Sequence, residues 1–248
     1  MGRRLLYGLG VCAALAAAAV LILYLRLGAI AKYAVETLGS RLTGTEVRVD
    51  SVSLSPFSGR GRLRGLSIAN PPGFKSPCAF LLKDVRVAVD LASLRSDRVL
   101  IREILVDGPE LTFETSPAGS NLVLIQRHID SFTPASAGAR GAKTGASKKV
   151  AIDLFRASHG KVNVRLALLE GKILSVSLPG VELRGIGRRS GGATSAQAAK
   201  EMLRALIGSA LKAAAGAGGA LREQVRRGLG GAQKTVGGIL KGWLRAKH

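Results

Sequence analysis

The chain carries few groups that could make or break a covalent bond. Its three histidines, His128, His159 and His248, and its two cysteines, Cys12 and Cys78, lie far apart in sequence. No H-E-x-x-H, C-x-x-C or G-x-S-x-G spacing brings a nucleophile, a base or a set of metal ligands together. Gly59-Arg60-Gly61-Arg62-Leu63-Arg64-Gly65 approaches a dinucleotide loop, but its third glycine comes one position late and no strand–loop–helix context frames it. Gly141-Ala142-Lys143-Thr144 ends like a phosphate-binding loop with alanine where that loop needs its second glycine. Asp84, Asp90, Asp107, Glu110 and Glu114 are scattered along strand-like stretches and read as charges on a solvated face rather than as an acid/base pair. The reading is of a protein that is not an enzyme and holds neither cofactor nor metal.

What remains is the chemistry of apolar contact and of positive charge. Hydrophobic residues make up 47% of the 248, the formal net charge is +21, and aromatics are only 4%. So apolar a chain is not a disordered basic tail, and so few aromatics argue against a surface that stacks nucleic-acid bases. Val85, Val87 and Val89 alternate with Arg86, Ala88 and Asp90, and the pattern recurs at Val99 and Ile101 and again at Val162 and Val164. Such alternation presents one greasy face, and these seven residues are the candidates for lining a lipid groove. An ordinary covered core, lidded by a Met202–Leu211 helix, gives the same pattern. The second candidate surface is the basic tail, where Arg222, Arg226, Arg227, Lys234, Lys241, Trp243 and Arg245 could lie on an anionic membrane. A solvated helix face is the plainer account of those charges.

The elements that would position these residues fall into three regions. Leu5–Leu25 is an uncharged run of 21 residues bounded by Arg3, Arg4 and Arg26; as a helix it spans about 31 Å, a bilayer's hydrocarbon core. It is read as a retained transmembrane anchor within 1–28, although Ala17-Ala18-Ala19 has the character of a cleavage site. Residues 29–190 are expected to form a curved, mainly antiparallel β-sheet with a few helices. A helix is expected over 30–42, another over 121–131 with Leu122, Ile125 and Ile129 inward, and a flexible loop over 134–149. Slips in the alternation between Val49 and Val52 and near Glu103 suggest a bulge or bend. Residues 191–248 are expected to form a basic amphipathic helical tail, opened by a Thr194–Gln197 capping box.

The run Gly59–Phe74, GRGRLRGLSIANPPGF, followed by Ala79–Leu91, Ser93–Asp107 and Pro109-Glu110, resembles the AsmA-like family of bacterial envelope proteins. Asn121-Leu122, Leu178-Pro179, Leu183, Ile186-Gly187 and Gly191-Gly192-Ala193-Thr194 are similar to the closing pattern of that family's short members. The resemblance covers about residues 1–210 and lies in the combination. It implies a single-pass inner-membrane anchor, a periplasmic curved sheet, phospholipid as ligand, and a role in lipid transport or outer-membrane biogenesis. About eight strands at roughly 4.8 Å would make a groove too short to cross an envelope unaided. A structural adaptor that docks an envelope protein partner, or an anionic membrane through the tail, is the alternative.

Overall fold

The computed structural model describes residues 15, 26–117, 119–132, 148–165, 173–189, 191–217 and 219. Leu5–Leu25 therefore lies outside the described residues apart from Leu15, and among those described no helix is long and apolar enough to cross a membrane. The first described element is helix α1 over 26–43. Strands β1 (Val47–Arg48), β2 (Ser51–Ser55), β3 (Arg60–Ala69) and β4 (Cys78–Val89) follow. After a 3-10 turn at Leu91–Arg95 come β5 (Arg98–Asp107), β6 (Glu110–Ser116), β7 (Gly119–Ser120) and helix α2 (Asn121–Ser131). Strands β8 (Lys149–Ser158), β9 (Gly160–Arg165), β10 (Ile173–Leu178) and β11 (Val181–Ile186) complete the sheet, and helix α3 covers 195–217.

Apart from the short β7, the strand segments join end to end into six longer, bent strands. Asp84 to Val89 of β4 pair with β5, while Phe80 and Leu81 pair with β6, so β5 and β6 succeed each other along one side of β4. In the same way β8 and β9 run beside β5 and β6, and β11 and β10 run beside β8 and β9. On the other side of β4 lies β3, and beyond it β1 and β2. Six strands at about 4.8 Å make a sheet only about 24 Å across, shorter than eight would give. The result is a curved half-barrel.

The bends fall in register. Arg64 pairs with Asp84, Asp84 with Asp107, and Asp107 with Ser158. Beside that row sit Gly65, Gly108 and His159, with φ of 62°, 60° and 55°. Left-handed backbone inserts an extra residue and bends a strand; because the insertions line up, they fold the sheet along one crease instead of scattering its twist. A methyl on Gly65 would fall on the Asp50 carboxylate, so that position needs glycine for space as well as for φ. The slip expected near Glu103 is also present. Ala88 pairs with Glu103 and Val89 with Ile101, leaving Arg102 bulged outward with its guanidinium 2.8 Å from Asp90.

The sheet is curved and mainly antiparallel, as expected, with two parallel pairings, β5–β8 and β6–β9. A parallel neighbour requires a crossover of a dozen or more residues, and the stretch from β7 through α2 to β8 supplies it. The loop expected at 134–149 belongs to that crossover and lies outside the described residues except for Lys148 and Lys149.

The helices cover the apolar face. Helix α2 matches the expected 121–131 span and buries Leu122, Ile125 and Ile129. Helix α3 opens on the expected capping box, in which Thr194 N–H donates to Gln197 at 2.8 Å and Gln197 N–H to the Thr194 hydroxyl at 3.1 Å. Its Leu206, Ile207 and Ala210 join the sheet's core. Helix α1 guards the outer side of β1 and β2: Val47 N–H donates to Ser40 Oγ at 2.9 Å and Val49 N–H to Glu36 Oε1 at 2.8 Å. Those donors would otherwise be open for another strand to pair with. The opposite face of the sheet carries ion pairs, among them Arg156–Glu182 at 2.9 Å and Lys83–Glu110 at 2.7 Å.

Candidate functional site

Between the half-barrel, α1 and α3 an apolar cavity of about 280 Å³ remains. Val35, Leu38, Gly39 and Leu42 of α1 form one wall, and Ala199, Met202, Leu203 and Leu206 of α3 another. Leu63, Leu66, Ile68, Leu82, Val85, Val87, Ile104, Val106 and Phe155 form its floor on the sheet. These residues meet there because inward positions of β3, β4 and β5 pair directly: Leu63 with Val85, Leu66 with Leu82, Val85 with Val106, and Val87 with Ile104. Gly39 lets α1 approach closely, since a methyl there would meet Val47 at 3.1 Å. Among the lining residues only Thr43 has a polar side chain, and its hydroxyl is already donated to Gly39 O at 2.8 Å. Nothing in such a wall could hold a polar ligand; it fits hydrocarbon.

The seven groove candidates divide. Val85 and Val87 line the cavity. Val89, Val99 and Ile101 are half-buried and lie outside its lining. Val162 and Val164 are fully buried in a core that also contains Leu111, Leu122, Ile125 and Ile129. The alternation that singled them out marks inward-facing positions, and it carries no sign of which are already covered by a helix. The α3 wall includes Met202, Leu203 and Leu206 of the helix expected as a lid, whereas the α1 wall was missed because α1 meets the sheet only through tertiary contacts. The tail candidates Arg222, Arg226, Arg227, Lys234, Lys241, Trp243 and Arg245 lie outside the described residues.

The far end of the half-barrel is closed by a buried polar knot. Asn121, fully buried, accepts at Oδ1 from Glu114 N–H at 2.9 Å and donates to Asn70 Oδ1 at 2.7 Å and to Thr112 O at 2.8 Å. Glu114 is only 4% exposed and accepts the backbone N–H groups of Lys75 and Ser76, each at 2.8 Å. Asn70 in turn donates to Ser76 O at 2.7 Å. The knot thereby ties the Asn70-Pro71-Pro72-Gly73-Phe74 turn to β6 and to the start of α2. This corrects the reading of Glu114 as a solvated charge. Burial raises its carboxyl, but the hydrogen bonds from Ser76 and Lys75 and the charge of Arg165 outweigh that and hold it below its ordinary 4.5.

Of the described residues, one is a cysteine, Cys78, and two are histidines, His128 and His159. Burial, and to a smaller extent the charge of Glu110, push the Cys78 thiol above its ordinary 9.0, the opposite of what activates a thiol. No group of three or more His, Cys, Asp or Glu able to hold a metal occurs among them. His159 Nδ1 lies 2.8 Å from Asp107, on the crease and exposed. No family model, characterised protein or solved structure matches the chain.

Proposed function

We propose that this is a membrane-anchored, non-enzymatic protein of the bacterial envelope that shelters a phospholipid acyl chain, in support of lipid traffic or outer-membrane biogenesis. The observation that carries the reading is the apolar cavity of about 280 Å³ held between α1, α3 and the half-barrel. An apolar cavity of about 150 Å³ stays dry and accepts small hydrocarbons, while pockets for whole ligands start at about 300 Å³. The space therefore suits a segment of one chain, with the headgroup outside. The resemblance of residues 59–74 and 79–110 to the AsmA-like family supports an inner-membrane anchor with the half-barrel in the periplasm. The uncharged run Leu5–Leu25 supports the anchor separately. A sheet about 24 Å across does not reach between two membranes, so the protein acts as a partial carrier or as one unit beside a partner.

Mass spectrometry of the full chain purified in mild detergent tests this. Wild type should carry phospholipid. Ala199→Phe, which fills the cavity from α3, and Val87→Asp, which places a carboxylate on its floor, should lose it, with circular dichroism reporting that the sheet is retained. Wild type free of lipid, or folded variants carrying as much as wild type, would overturn the reading.

A further inference from the structure

One end of the half-barrel combines exposed apolar tips with unpaired cations. The β2–β3 turn carries Phe57, 90% exposed in a chain with few aromatics, and the neighbouring 3-10 turn carries Leu94, 45% exposed. The two turns abut, because Val89 N–H donates to Gly59 O at 2.8 Å and Leu91 packs over Gly59. Around them stand Arg60, Arg95, Arg98 and Lys149, none with a carboxylate partner among the described residues, and Lys148, which donates to Leu94 O at 2.6 Å. Asp97 is the exposed acid on the same rim, and Asp90 is already paired with Arg102.

Helix α1 delivers the chain to this end. It runs antiparallel to β1 and β2: Ser40 meets Val47, Glu36 meets Val49, Lys32 reaches Asp50 O, and Gly28 lies against Val52 O. The N-terminal end of α1, at Arg26, therefore points past Val52 toward the side of the Phe57 turn, and in sequence the uncharged run Leu5–Leu25 immediately precedes Arg26. The opposite end holds the Glu114–Asn121 knot.

We propose that this end rests on an anionic phospholipid bilayer, with Phe57 and Leu94 below the headgroups and the surrounding arginines and lysines among the lipid phosphates. Apolar tips and anionic attraction together set interfacial binding, and each cation near such a surface strengthens it. The half-barrel then stands upright on the membrane. The inference rests on the reading that Leu5–Leu25 spans the bilayer, and it is independent of what fills the cavity.

The test uses the full chain in nanodiscs of phosphatidylcholine with or without phosphatidylglycerol, in a Trp243→Phe background. Phe57→Trp reports the proposed membrane end and Ile173→Trp the far end, where Ile173 is exposed. Lipids brominated on their acyl chains should quench most of the Phe57→Trp emission and little of the Ile173→Trp emission. Quenching should strengthen with phosphatidylglycerol and weaken when Arg60→Ala and Arg95→Ala are combined. A chain that co-migrates with the nanodiscs but shows equal quenching at both positions would overturn the docking and leave the anchor standing. Failure to co-migrate would overturn the anchor and the docking with it.

Discussion

Replacing Glu114 should cost far more than an ordinary strand substitution. The side chain is 4% exposed and each of its oxygens accepts a backbone N–H at 2.8 Å. A hydrogen bond to a charged group contributes roughly 1.5–3 kcal/mol, and a buried donor left alone costs a similar amount. Glu114→Ala strands the buried Ser76 N–H and removes the acceptor of the part-buried Lys75 N–H, which together amount to about 3 kcal/mol. Glu114→Gln keeps one acceptor and turns an amide toward the other N–H, for about 2 kcal/mol. Against a total stability of roughly 5–15 kcal/mol either loss is readily measured. Urea unfolding of the full chain in detergent, followed by far-ultraviolet circular dichroism, is the assay. Because the folded carboxyl sits below its ordinary 4.5, its contribution is present in full above the unfolded value and is lost as pH falls through the lowered folded one. The gap between wild type and Glu114→Gln should therefore narrow in acid. A Glu114→Ala variant within about 0.5 kcal/mol of wild type, the range of an inconsequential surface change, would refute the reasoning. So would a Glu114→Gln deficit that ignores pH.

Gly65→Ala should destabilise by about 2 kcal/mol or more, read as a lowered thermal midpoint, because φ is 62° and the methyl meets the Asp50 carboxylate; an unchanged midpoint would mean the crease relaxes at that strand. Thr194→Ala should cost about 1 kcal/mol in urea unfolding and Thr194→Ser much less, since serine preserves the reciprocal hydrogen bonds that open α3.

Local features were readable in advance and long-range ones were not. The span of α2, the capping box of α3 and the slip near Glu103 each depend on residues a few positions apart, where periodicity and side-chain chemistry act directly. The parallel crossover depends on which strand the chain rejoins after residue 148, and alternation is the same for either direction. Glu114 was misread for a related reason. Its partners, Lys75 and Ser76, are 39 and 38 positions away, so nothing near it in sequence marks it as buried. The cavity was legible by half: Val85 and Val87 stand out by period two, whereas Gly39 and Ala199 join them only when two helices from opposite ends of the chain meet over one sheet.

The helix laid along β1 and β2 also makes the ribbon one-sided. With Ser40 and Glu36 occupying the amide hydrogens of Val47 and Val49, no incoming strand can pair with those two residues. Among the described residues no strand pairs with the outer side of β10 and β11. Growth of the sheet, by more chain or by another molecule, is thus least obstructed beyond β10 and β11, on the side away from α1.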